Sequence, residues 1–258
     1  MKRVWMTSLV SSEEQVKKVM SQLKSYGFEV NGHFWEDDLE KTAWIKARSE
    51  IIDSKVALWL ILASADNLSA PSIRYGLSLL ALTVRAQLGL GFPIVILLSA
   101  GETPPVESLP TPLRDADFLL ATDVGYGAKL VAKVHSQVKE IALEYRLDAY
   151  GNPQTGQWLE VGPTDDRWQG AMLGVAGAEI AFHAVGPKGS LPSTSVLNYP
   201  MEGLKLALGD KEYVAWAVQN EVDSETSYFA KVDGFPDSIL FGPYSSEDEA
   251  EVHVVYLK

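Results

Sequence analysis

Short polar side chains gather where two apolar runs of the chain end. Thr7 and Ser8 close the run Arg-Val-Trp-Met-Thr-Ser-Leu at residues 3–9. Ser64, Asp66, Asn67 and Ser69 follow the run Lys-Val-Ala-Leu-Trp-Leu-Ile-Leu at residues 55–62. Hydroxyls and an amide in such places can bond a nucleotide phosphate or ribose, or they can satisfy the first turn of a following helix. Arg74 can pair with a phosphate, or with the carboxylate of Asp66 or Asp115. Asp66 is the one carboxylate within the polar stretch.

A second constellation is acidic. Trp35-Glu36-Asp37-Asp38-Leu39-Glu40 places three carboxylates at adjacent positions. Hard cations take oxygen ligands, but EF-hand spacing is absent, so the loop reads as an interaction surface or a solvated turn. His33, His135, His183 and His253 are scattered without ligand spacing, and there is no cysteine, so no metal site is expected. Gly186-Pro187-Lys188-Gly189-Ser190 lacks the Gly-Lys-Ser/Thr ending of a phosphate loop and reads as a turn. No Gly-x-Ser-x-Gly elbow occurs.

These residues need a scaffold. The run at 55–62 is short, continuous and bounded by turn residues, as expected of a strand buried on both faces of a parallel sheet. Ligands of open α/β sheets sit at the carboxyl ends of such strands. Pro71 suits the first turn of a mostly apolar helix over 71–82. Before this come a strand at 3–9, an amphipathic helix capped by Ser11 or Ser12, a strand at 28–34 and a helix over 42–52. After it come a strand at 94–98, a proline-rich loop, a short strand at 118–121 and a helix over 129–147. Strands alternating with helices in this rhythm imply a parallel sheet with right-handed crossovers.

The ordered set of motifs over the first 145 or so residues resembles the Toll/interleukin-1 receptor (TIR) family. The acidic loop at 35–40 is similar to the loop after that family's second strand. Ile51-Ile52-Asp53-Ser54-Lys55, the apolar strand and Ala63-Ser64 resemble its Ile-x-x-Ser, strand, Ser run. Ser69-Ala70-Pro71-Ser72 stands where the family starts its next helix. The resemblance implies a flavodoxin-like TIR-type sheet flanked by helices, assembly through the loop Trp35, Glu36, Asp37 and Asp38, and NAD or a related nucleotide as ligand. It also implies sites completed between subunits of a homo-oligomer. Enzymatic members cleave NAD with a glutamate early in the helix after the central strand. Here that position falls on Tyr75 or Gly76, and no glutamate occurs between Glu50 and Glu102. The catalytic residue is left unassigned, with Asp66 in the preceding loop, shorter and differently placed, the one candidate to stand in for it.

The chain has 258 residues, 47% of them hydrophobic and 22% charged, enough for two ordinary globular domains. Residues 1–150 hold 16 Lys and Arg against 18 Asp and Glu, a net of -2; residues 151–258 hold 6 against 16, a net of -10. The acidic half would repel a phosphate backbone, so no nucleic acid partner is expected. Charges and glycines interrupt the longest apolar stretch, the amino terminus lacks a secretory pattern, and so a cytoplasmic protein without a membrane span is expected.

Turn residues at 149–156 mark a linker between a domain at 1–148 and one at 157–258. The second half has short aromatic and β-branched segments between Gly-Pro and Asp-Gly turns, the pattern of a small antiparallel sheet. Helices are expected over 200–208 and, from the capping spacing Ser246-Glu247-Asp248-Glu249, over the last residues, giving an α+β domain. Apolar-Gly-Pro triplets at Val161, Val185 and Phe241 are unevenly spaced and do not read as repeats.

Three functions fit these readings. The first is a signalling or defence protein whose TIR-like domain binds a nucleotide or assembles with protein partners without turnover. The second is an NAD-cleaving or nucleotide-processing enzyme with an atypical carboxylate. The third is a structural adaptor.

Overall fold

The structure is a computed structural model and describes residues 1–136, 141–244 and 251–258. The chain divides into two compact units, Met1–Leu39 with Ala43–Ile141, and Glu40–Thr42 with Ala142–Lys258.

The first unit is α/β. Its strands are β1 (Arg3–Ser8), β2 (Glu29–Phe34), β3 (Val56–Ser64), β4 (Ile94–Ala100) and β5 (Asp117–Leu120). They form one sheet in the order β2-β1-β3-β4-β5, every pair parallel. This doubly wound order has its switch point between β1 and β3, where the chain leaves one strand in each direction. Leu58 to Ala63 of β3 are wholly buried, as a central strand covered on both faces requires. On one face α1 (Glu13–Ser25) packs Val16, Val19 and Leu23 onto Val4, Met6, Leu58, Leu60 and Leu62. Tyr126 and Leu130 join the same cluster. Ser12 caps α1, its hydroxyl accepting from the Gln15 amide at 3.4 Å.

The expected helix over 42–52 is a 3₁₀ turn, Ala43–Ala47, running into a single α turn, α2 (Arg48–Ile51). After β3 come α3 (Ala65–Ser69) and α4 (Pro71–Leu88), with Pro71 in the first turn of α4. The last described helix of the unit is α5 (Tyr126–His135), and of its predicted continuation to residue 147 the described residues, 136 and 141–147, are not helical. Residues 145–152 are instead the first strand of the second unit, so the linker expected at 149–156 lies within a hairpin. Val138 lies outside the described residues. Tyr145, Leu147 and Ala149 alternate with Arg146, Asp148 and Tyr150, a period of two that outweighs the helical reading.

The second unit is antiparallel β throughout its described residues, where an α+β domain was expected. Its strands are β6 (Tyr145–Asn152), β7 (Gly156–Pro163), β8 (Ala171–Ala176), β9 (Glu179–Pro187), β10 (Met201–Leu208), β11 (Lys211–Val218), β12 (Thr226–Asp233), β13 (Ser238–Pro243) and β14 (His253–Tyr256). The segment expected as a helix over 200–208 is β10, paired with β11 across a turn at Gly209. The expected terminal helix is β14, and the capping motif at 246–249 lies outside the described residues. Val254, Val255 and Tyr256 have the β propensity that the capping spacing contradicted, and pairing with β13 decides the outcome.

The two sheets run β6-β7-β12-β9 and β10-β11-β8-β13-β14. Exchanging β6 with β10, β7 with β11, β8 with β12 and β9 with β13 converts the first order into the first four strands of the second. Each half of the unit therefore builds a hairpin, sends its third strand into the other half's sheet and returns with its fourth. The correspondence extends to turns. Gly177 after β8 and Gly234 after β12 both have positive φ, +76° and +87°. Val185-Gly186-Pro187 ends β9 as Phe241-Gly242-Pro243 ends β13. At both glycines another part of the chain crosses closely: a Cβ on Gly186 would lie 2.6 Å from Pro192, and one on Gly242 would lie 2.5 Å from the Glu251 carbonyl. Two of the three apolar-Gly-Pro triplets thus mark equivalent places, and the third, Val161-Gly162-Pro163 at the end of β7, makes the spacing uneven.

Candidate functional site

The carboxyl ends of β1 and β3 bring together the polar groups singled out in the sequence, and the structure engages most of them internally. Thr7 is fully buried, and its hydroxyl accepts from the Trp59 indole N–H at 2.8 Å. The Ser8 hydroxyl donates to the Val10 carbonyl at 2.7 Å. Ser64 caps α3 in a reciprocal box with Asn67: its hydroxyl accepts from the Asn67 amide at 3.1 Å, and its own amide donates to the Asn67 side chain at 3.1 Å. The Ser69 hydroxyl donates to the Asp66 carbonyl at 2.8 Å. The Asp66 side chain is exposed.

Arg74 makes neither expected ion pair. Its guanidinium donates to the Ser108 carbonyl, and burial pushes its pKa below the ordinary arginine value. Asp115 is paired with Arg85 instead. Tyr75 is fully buried in α4. Gly76 lies under the indole of Trp35: a Cβ there would be 2.7 Å from Cζ2 of Trp35 and 3.4 Å from Cδ2 of Leu39. The position aligned with the family's glutamate is therefore either buried or covered.

The acidic loop is fastened at several points. The Ser72 hydroxyl donates to Asp37 at 2.6 Å, Lys46 pairs with Glu36 at 2.5 Å, and the Ala43 amide donates to the Asp38 carbonyl at 3.0 Å. Beside it, His33, Phe34, Trp35, Glu36, Ala43, Lys46 and Ala47 line a pocket of about 200 Å³. The Trp5 indole donates to Nδ1 of His33 at 3.1 Å, which leaves the proton of the neutral ring on Nε2. Burial lowers the His33 pKa, favouring that neutral form. The indole nitrogens of Trp35 and Trp44 are buried with no partner among the described residues. Phe34 remains 48% exposed, an aromatic ring in water at the end of an edge strand.

The sequence reading named Trp35 and the acids but missed His33 and Lys46 as neighbours of the same pocket. A signal for the Trp35 contact was present: a lone glycine inside an apolar helix marks close approach by another group. Among the described residues no group of three or more histidines, aspartates and glutamates is arranged to hold a metal ion.

The second unit has its own buried polar groups. Asp148 and Glu160, directly opposite on β6 and β7, are 6% and 4% exposed. Glu160 accepts from the Tyr150 hydroxyl and from the Gly189 amide at 3.0 Å. His183 lies 2.9 Å from the Tyr228 hydroxyl through Nδ1, with Trp216 edge-on at 4.9 Å between ring centroids. Burial lowers the pKa of His183, with Glu202 opposing, and raises that of Tyr228.

Fold and sites together define a protein with a doubly wound α/β unit followed by an antiparallel β unit of two exchanged halves. No protein-family model matches the chain, and no curated protein matches it. Among solved structures it is similar to a 3-dehydroquinate dehydratase-like protein from Bifidobacterium longum, at 18% identity and a TM-score of 0.33, over 52% of this chain and 97% of that one. No described helix is long and apolar enough to cross a membrane.

Proposed function

We propose that the first unit is a TIR-like recognition module of flavodoxin-like type, acting in signalling or defence by assembling with protein partners without turning over a nucleotide. The observation that carries this reading is that neither position aligned with the glutamate of enzymatic TIR proteins can present one: Tyr75 is buried, and Gly76 lies under the Trp35 indole. A carboxylate has no room there, and Ser64, Asn67 and Arg74 are committed to bonds within the protein. Trp35 to Asp38, held to α4 and to the 3₁₀ turn, then form a shaped surface with Phe34 exposed beside them. A cytoplasmic setting belongs to the same proposal.

Titration calorimetry of the full chain with NAD, paired with sedimentation velocity, tests it. Concentration-dependent association lost in Phe34→Ser and Glu36→Lys supports assembly through this loop. Heat with NAD and no product supports the nucleotide-binding form of the same reading. Neither association nor heat leaves the adaptor reading in its place.

A further inference from the structure

The pocket beside the acidic loop is built from two stretches of chain. The end of β2 supplies His33 and Phe34, and the loop continues it with Trp35 and Glu36. The 3₁₀ turn supplies Ala43, Lys46 and Ala47. Side chains three apart on a 3₁₀ helix share one side, so Ala43 and Lys46 face the pocket together. Trp44 between them is buried in the core. Ala43 and Ala47 are themselves buried, and a larger side chain at either would take up the space. The walls are fixed from behind: Trp35 rests on Gly76 of α4, and Asp37 accepts from the Ser72 hydroxyl at 2.6 Å. A site held in shape before binding loses less on ordering.

The lining determines what fits. Nδ1 of His33 accepts from the Trp5 indole at 3.1 Å, so Nε2 carries the proton of the neutral ring, and no described residue accepts it. Lys46 and Glu36 pair at 2.5 Å with side chains 60% and 51% exposed, so water competes for both. Phe34, Trp35 and the two alanines supply apolar surface. The volume of about 200 Å³ is below the roughly 300–1,000 Å³ of sites for drug-sized ligands, which points to a smaller molecule. The ion pair contributes one charge of each sign. A ligand with a single charge would meet a like charge beside the opposite one. A ligand with both charges close together replaces one ion pair by two.

We propose that this pocket binds a free α-amino acid with an apolar side chain of leucine to phenylalanine size. Its carboxylate takes Lys46 and the Nε2–H of His33, its ammonium takes Glu36, and its side chain lies against Phe34, Ala43 and Ala47. The site goes beyond assembly through the acidic loop and does not rest on it, because a single chain supplies every group.

The test titrates the dilute full chain with L-phenylalanine, L-leucine, phenylpropionate and phenethylamine, by calorimetry and by NMR of the His33 ring. Both amino acids are expected to bind saturably, one per chain, and to shift the His33 signals. Phenylpropionate lacks the ammonium and phenethylamine lacks the carboxylate, so each is expected to bind about tenfold or more weakly than phenylalanine. Lys46→Gln should remove the advantage over phenethylamine, and Glu36→Gln the advantage over phenylpropionate. Both side chains are exposed, so these variants keep the fold. Ala47→Phe fills the pocket and should abolish binding. No saturable binding of either amino acid, equal binding of the truncated ligands, unmoved His33 signals, or unchanged preferences in Lys46→Gln and Glu36→Gln would each overturn the proposal.

Discussion

The Trp35 indole lies on the bare Cα of Gly76, so closely that a Cβ would come within 2.7 Å of Cζ2. Glycine is ordinarily a poor helix residue, worse than alanine by about 1 kcal/mol. Gly76→Ala is nevertheless expected to destabilise the protein, by about 1–3 kcal/mol, because overpacking outweighs the propensity gain. Trp35→Ala should reverse the sign of the alanine substitution. Urea unfolding of the two single variants and the double variant measures the coupling; additive effects would show that the contact does not constrain α4.

The Thr7–Trp59 bond is buried between two central strands. Thr7→Val keeps the shape and removes the acceptor, leaving an indole N–H unsatisfied. The expected cost is about 1–3 kcal/mol, read as a lower urea midpoint at an unchanged slope. An unchanged midpoint would mean that Trp59 finds another acceptor.

Arg146 gathers the second unit from within. Its guanidinium donates to the carbonyls of Asp223 at 3.0 Å and Thr226 at 2.7 Å, to the Ser227 hydroxyl at 3.1 Å, and to the Pro163 carbonyl. Burial lowers its pKa, with Glu160, Asp223 and Glu225 opposing, so it is a cation kept by its bonds. Arg146→Met should cost about 3 kcal/mol or more, because several acceptors lose their donor together. Calorimetric melting of the variant checks this; a melting temperature equal to the parent's would contradict it.

His33 and His183 both have pKa values lowered by burial. A depressed folded-state pKa means that the unfolded chain takes up the proton first as pH falls. Stability is therefore fully present above about 6.5, the ordinary histidine value, and is lost as pH falls through the folded-state values. Melting temperatures from pH 8 to pH 5 should decline below this point, and His33→Gln and His183→Asn should each flatten the decline. A rise in stability toward pH 5 would show that the histidines gain partners on protonation.

Much of the first unit could be read in the sequence because its signals are local. The buried strand at 55–62, the proline at the start of α4 and the Ser12 cap each depend on adjacent residues, and the alternation of strands and helices implied a parallel sheet. The errors came where a local signal competed with long-range pairing. Residues 201–208 and 253–256 are strands because β11 and β13 present edges to them, which spacing along the chain does not reveal. The exchange of β8 and β12 between sheets is hidden for the same reason. At the candidate site, residue types identified polar groups but could not show that Ser64 and Asn67 satisfy each other or that Arg74 reaches the Ser108 carbonyl. The place of a missing glutamate was legible as Tyr75 or Gly76; the burial of the first and the ring above the second required the fold.

The proposal of recognition without turnover is tested most directly by incubating the full chain at high concentration with NAD and following nicotinamide release by chromatography. The expected result is no release above that of NAD alone, in the parent protein and in Asp66→Ala alike. Release by the parent that disappears in Asp66→Ala would contradict it and make the exposed carboxylate of α3 the acid of an unusual enzyme.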